Sequence, residues 1–114
     1  MMAEPAEAIL VLLTAGSREE AVRLADILVV ARLAACVQIL PEIESVYHWQ
    51  GSIERAPEIL LLAKTTLANF TALEAAVRAL HSYETLEIIA LPITAASTPY
   101  LDWLTSNVIP QSKV

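Results

Sequence analysis

One cysteine, two glycines, two histidines and six aromatic residues are all that this 114-residue chain contains of those types, and each shortage removes a class of chemistry. A lone Cys36 excludes an intrachain disulfide framework, and the Cys-x-x-Cys of small copper chaperones is absent. With a single glycine and no Walker lysine, Thr14-Ala15-Gly16-Ser17 is a poor phosphate loop and reads as a turn followed by a helix cap. The seven Lys and Arg are scattered singly in a chain of net charge −6. No basic patch is available to a phosphate backbone, so nucleic acid is not an expected partner. Asp26 and Arg32 interrupt the longest apolar stretch, which falls short of the roughly 18–20 residues of a membrane-spanning helix. The N-terminal MMAEPAEA is acidic and lacks the features of a signal peptide, so a cytoplasmic location is expected.

Nitrogen and sulfur ligands are equally scarce. Cys36, His48 and His81 fall on different elements, whereas a closed zinc or copper site gathers three or four such groups at short spacing. A residue near a three-fold axis would supply three ligands at once; otherwise His81 with Glu84 or Glu87 makes a weak candidate site. The alternative is that His81 ends a helix, interacts with its last carbonyls and packs on Tyr83. Cys36, in Ala34-Ala35-Cys36-Val37, has no neighbouring histidine and reads as a small core residue. No nucleophile–base pair has usable spacing, so the chain reads as a binding protein and not an enzyme.

What the chain has in plenty is apolar surface. Hydrophobic residues make up 56% and charged residues only 18%, more apolar than a small monomer needs. The order of elements is β-α-β-β-α-β-α. A strand at Ala8–Thr14 precedes a helix opened by the capping box Ser17-x-x-Glu20 and running to about Leu33. A long hairpin follows, with arms Ala35–Trp49 and Ile53–Thr65 turning at Gln50-Gly51, where glycine supplies the positive φ. Pro41 bends the first arm and Pro57 marks an edge. Thr66 or Asn69 caps a second helix ending near His81; Glu87–Ile93 is the last strand; Ser97 caps a third helix, which Pro110 ends. Residues 1–7 form a flexible lead. This is one α+β domain spanning residues 1–114, a ferredoxin-like split βαβ with one antiparallel sheet, a protruding hairpin and an added helix.

The strands sharpen that reading. Ile9–Leu13, Ile59–Ala63 and Ile88–Leu91 are apolar at consecutive positions, so both faces of the sheet demand burial. One chain supplies helices for one face only. At about 25 cal/mol per Å² the second face is too costly to leave wet, and a homo-oligomer is expected.

The segments Arg32-Leu-Ala-Ala-Cys-Val37, Tyr47-x-Trp49-x-Gly51, Leu60-Leu-Leu-Ala-Lys-Thr65, His81-x-Tyr83-Glu84-x-x-Glu87-Ile88 and Tyr100-Leu-x-Trp103 resemble the CutA divalent-cation-tolerance proteins, in order and spacing, from about residue 8 to 108. The resemblance implies a ferredoxin-like subunit, an interlocked, very stable homotrimer with PII-like architecture, and an association with copper or another divalent cation that the fold does not require. It also marks departures. Ser82 and Leu86 stand at two positions that are proline in the family pattern, Ala95-Ala96 replaces a glycine, and Leu13 and Leu80 stand where metal-binding members carry a cysteine and a histidine. Restoring the two prolines is expected to rigidify the loop and raise the melting temperature.

Tyr47, Trp49, Lys64, Tyr83, Tyr100 and Trp103 form a further set. They are read either as trimer-interface anchors or as the lining of an inter-subunit cleft for a small molecule, with Lys64, His81 and Glu87 as polar contacts. Three functions stay open: divalent-metal response through weak metal or partner binding, PII-like sensing of a metabolite in that cleft, and a rigid trimeric scaffold.

Overall fold

Apolar residues at consecutive strand positions produce a sheet with two greasy faces, and the computed structural model shows where each goes. It describes residues 7–110; positions 1–6 of the expected flexible lead lie outside the described residues. Strand β1 (Ala8–Ala15) pairs antiparallel with β3 (Ser52–Thr66) on one side and β4 (Ile88–Pro92) on the other, while β2 (Cys36–Trp49) pairs with the far side of β3. The order is β2-β3-β1-β4. β3 is thus inserted between two strands that helix α1 (Arg18–Val30) connects, which is a split β-α-β arrangement.

Alternation along the strands sorts the side chains. Val11 and Leu13 of β1 and Leu61 and Ala63 of β3 are buried against Leu24 and Leu28 of α1 and Leu73 and Val77 of α2 (Phe70–Leu80). The intervening Leu10, Leu12, Leu60 and Leu62 are only half-buried, and Ile89 and Leu91 of β4 remain 48% and 44% exposed. Helix α3 (Thr98–Ser106) covers one corner of this second face, setting Leu104 and the following Val108 on Ala8 and Ala35. The rest stays open in the single chain.

The hairpin turns on Gln50 and Gly51, with φ of 49° and 83°. Both are positive, as a two-residue turn matched to strand twist requires, so Gln50 shares the burden expected of Gly51 alone. β1 ends opposite Ile59. From Ser52 to Glu58 the strand therefore has β2 as its only neighbour, and the chain extends to 55 × 28 × 26 Å. The register slips between Ile39 and Glu42, around Pro41, and Pro57 lies where no β1 residue opposes it.

The helix ends depart from expectation in where α1 and α3 stop and in how α2 and α3 are capped. α1 stops at Val30, not Leu33, because Arg32 takes a left-handed conformation (φ 57°). The N–H groups of Arg32 and Leu33 then return to the carbonyls of Val29 and Leu28, a Schellman ending without the usual glycine. Asn69 holds the N-cap position of α2 after a 3-10 turn at Leu67–Asn69, but its Nδ2 donates to Thr66 Oγ1 and to the carbonyl of Ile109. That ties the tail beyond α3 to the start of α2. Ser97 precedes α3 without a side-chain capping bond, and α3 ends at Ser106, ahead of Pro110.

Candidate binding cleft

The loop between α2 and β4, residues 81–87, crosses the end of β1 and faces the lower part of the free hairpin. Three hydrogen-bonded anchors fix it. His81 Nε2 lies 2.7 Å from the carbonyl oxygen of Thr14 at the end of β1, and the N–H of Tyr83 donates to His81 Nδ1 at 3.0 Å. A carbonyl only accepts and a backbone N–H only donates. The ring is therefore the neutral Nε2–H tautomer with both nitrogens engaged, and its side chain is 1% exposed. Ligation through Nδ1 would first have to displace the Tyr83 N–H.

The second anchor is Glu20. Its N–H donates to Ser17 Oγ at 3.1 Å, the expected cap, yet its carboxylate does not close the capping box on Ser17. Instead Oε1 takes the Gly16 N–H at 3.1 Å and Oε2 takes the Ser82 N–H at 2.8 Å. Burial works to raise the pKa of this carboxyl, but the N–H donors of Ser82 and Gly16 hold it below the ordinary carboxylate value. The third anchor is Tyr83. Its ring packs on His81 with centroids 4.7 Å apart, and its hydroxyl donates to Glu58 Oε2 at 3.2 Å. Burial and the Glu58 charge push the Tyr83 phenol upward. Gly16 is needed here for space, since a Cβ would come within 3.0 Å of the Tyr83 hydroxyl.

Between this loop and the hairpin opens a cavity of about 770 Å³. Alternation places Ser45, Tyr47 and Trp49 of β2 along one wall; Glu58 of β3 and Tyr83, Glu84 and Glu87 of the loop supply the other. Glu87 has its carboxyl raised, first by burial and then by the nearby Glu58 charge. No Lys or Arg lines the cavity.

The expected residue set is thereby divided. Tyr47, Trp49, Tyr83, Glu84 and Glu87 meet at the cavity, with His81 behind it as the loop's anchor. Lys64 lies six residues beyond Glu58 on β3, roughly 20 Å at ~3.3 Å per residue. Its Nζ sits 3.2 Å from Tyr100 Oη and 5.2 Å from the centre of that ring, beside Trp103. Lys64, Tyr100 and Trp103 therefore make a separate cluster under α3, and Lys64 does not serve the cavity within one chain. Leu13 is fully buried in the helix-side core while Leu80 is 43% exposed, and neither side chain carries a ligand atom. Cys36 and His48 stand near opposite ends of β2. Among the described residues no three His, Cys, Asp or Glu are arranged to hold a metal. Glu20 and Glu58 were not expected at the site. Glu58 announces itself as a carboxylate at the threshold of the apolar run Ile59–Ala63; nothing local distinguishes Glu20 from an ordinary capping residue.

Comparison with known proteins fits this architecture to a family. Residues 9–107 match the family described as CutA1 divalent ion tolerance protein. The chain belongs to that family. The divalent-cation tolerance protein CutA of Thermus thermophilus is 50% identical over 97 residues, covering 85% of this chain and 94% of that one. The crystal structure of CutA1 from Oryza sativa superposes with a TM-score of 0.91 at 39% identity, covering 94% of this chain and 98% of that one. A structure from Archaeoglobus fulgidus, described as a periplasmic divalent cation tolerance protein CutA, gives a TM-score of 0.83 at 40% identity, over 85% and 94% of the two chains. The chain spans about half the length of several plant and vertebrate relatives of the family. No helix among the described residues is long and apolar enough to cross a membrane.

The loop anchors reverse one expectation. The backbone before position 82 is extended (His81 φ −76°, ψ 141°) and would admit proline, but proline has no N–H for Glu20. Ser82→Pro should lower stability by about 1–3 kcal/mol, the cost of leaving a buried acceptor short; a higher melting temperature would contradict the anchor. The depressed Glu20 pKa has a definite pH signature. Its stabilisation is complete above the ordinary value of 4.5 and is lost as pH falls through the lower folded value. Glu20→Gln should melt lower at neutral pH and lose less on acidification than the parent, as thermal scans across that window would read.

Proposed function

We propose that this chain works as a homotrimeric, non-catalytic protein of divalent-cation response in the cytoplasm, engaging copper or another divalent cation weakly at the acidic cleft. The metal part is supported by Glu58, Glu84 and Glu87 lining one cavity with no Lys or Arg, in a member of the divalent ion tolerance family; these carboxylates do not form a ready-made three-ligand set, and the binding is accordingly weak. The trimer is supported by the open apolar face of Leu10, Leu12, Leu60, Leu62, Ile89 and Leu91, and by a hairpin with no partner of its own over Ser52–Glu58 except β2. Sheet faces and edges of this kind are protected by other copies of the chain. Burial of that face supports a thermostable assembly, and its PII-like form is what the family resemblance implies.

Carboxylates and water suit hard ions such as manganese or magnesium better than copper, which favours imidazole and thiolate. With His81 bonded at both nitrogens, Glu84 and Glu87 of the originally expected trio stand as the ligands and His81 as their support. A second reading, sensing of a small molecule, is favoured by the cavity volume and its aromatic wall of Tyr47, Trp49 and Tyr83.

Calorimetric titration of metal-stripped protein with manganese and with copper tests the primary reading. Expected are a light-scattering mass of three chains and binding weaker than micromolar. It should be abolished in Glu84→Gln/Glu87→Gln and retained in His81→Ala. Tight copper binding lost in His81→Ala would contradict it.

A further inference from the structure

A metal ion does not need a cavity of about 770 Å³. That volume falls in the range of about 300–1,000 Å³ typical of sites for small organic ligands. The walls then select among such ligands by charge. Glu58, Glu84 and Glu87 carry carboxylate oxygens, and Tyr47, Trp49 and Tyr83 line the space with aromatic rings, whose faces carry a negative quadrupole. The nearest basic groups on the hairpin are committed elsewhere. Arg55 is paired with Glu44 at 2.9 Å, and Lys64 is held at Tyr100. A phosphorylated or carboxylated metabolite would meet three carboxylates and no counter-charge, and is repelled. A hydrated metal ion satisfies the carboxylates but gains nothing from three aromatic rings. A ligand that uses both is a cation with an apolar skin.

We infer that the cleft binds an organic ammonium ion, a quaternary or primary ammonium of small-metabolite size, seated against Tyr47, Trp49 and Tyr83 with its charge compensated by Glu58, Glu84 and Glu87. This rests on the small-molecule reading of the cleft and names its ligand class. Three features of the site match the chemistry of such a cation. Ring faces attract it through their quadrupole, more strongly where water is excluded. The Glu87 carboxylate, whose charge is disfavoured first by burial and then by nearby Glu58, is relieved by a positive neighbour. The Tyr83 ring is held in place through Glu58 and His81, so the wall is preorganised before the ligand arrives.

Choline is the test probe and its neutral carbon isostere, 3,3-dimethyl-1-butanol, the control. The full chain in its assembled state is titrated by calorimetry and by tryptophan fluorescence, with Trp103→Phe used to isolate the signal of Trp49. Saturable choline binding is expected, at least tenfold tighter than binding of the isostere. Trp49→Ala and Glu84→Gln/Glu87→Gln should each weaken it tenfold or more. Trp49→Ala should leave manganese binding intact. Equal binding of choline and the isostere, or binding of an acidic metabolite such as citrate with the same dependence on Trp49, would overturn the ammonium assignment and leave the small-molecule reading standing. Absence of saturable binding for choline, isostere and citrate alike, in protein whose mass and manganese binding are normal, would overturn both.

Discussion

A single buried carboxylate sets the geometry on which the cleft depends. Glu20 sits in the first turn of α1, where helix N–H groups already favour negative charge, and it spends both oxygens on backbone donors outside that helix. One oxygen closes the turn at Gly16 and the other captures Ser82 across the top of β1. Each bond is modest in net terms, yet a buried acceptor left unmade costs more than the bond itself gains. The loop 81–87 is therefore fixed by what its release would expose. His81 and Tyr83 extend that restraint to Thr14 and Glu58, so one network joins β1, α1, β3 and the loop. Serine at position 82 supplies an N–H donor that a proline there would lack.

The same chain geometry explains why the cleft exists at all. β3 is fifteen residues long and β1 only eight, so nearly half of the hairpin runs past the sheet that would otherwise flank it. Side chains that would have packed under a longer β1, Tyr47, Trp49 and Glu58, are left facing the loop. At the other end of β3 the extra helix α3 seals Ala8 and Ala35 and draws Lys64 to Tyr100. Glu58 and Lys64 are thus held toward opposite ends of one strand. The open apolar face lies between them.

Much of this was legible in the residues. Consecutive apolar positions gave the strands, Gln50-Gly51 located the turn, and the arm lengths implied a hairpin longer than its own domain. The antiparallel sheet and the family follow from those segments. Spacing alone could not separate the aromatic set into two clusters, because Tyr47 and Tyr100 are brought to different ends of the sheet by strand register and by where α3 docks. Nor could it reveal that His81 has no free nitrogen. That depends on a carbonyl sixty-seven residues away in the chain. Glu20 had the signature of a capping box and formed half of one; its second bond is tertiary, and only the path of the 81–87 loop decides it.

The claim at the centre of this account is that His81 holds the loop and the cleft does the recognising. Long-range proton–nitrogen NMR of ring-labelled histidine, with and without added zinc, tests it directly. The account predicts that His81 is protonated at Nε2 and unprotonated at Nδ1, and that both resonances stay in place as zinc is added. A His81 Nδ1 signal that moves with zinc, or a protonated Nδ1 in the metal-free protein, would contradict it.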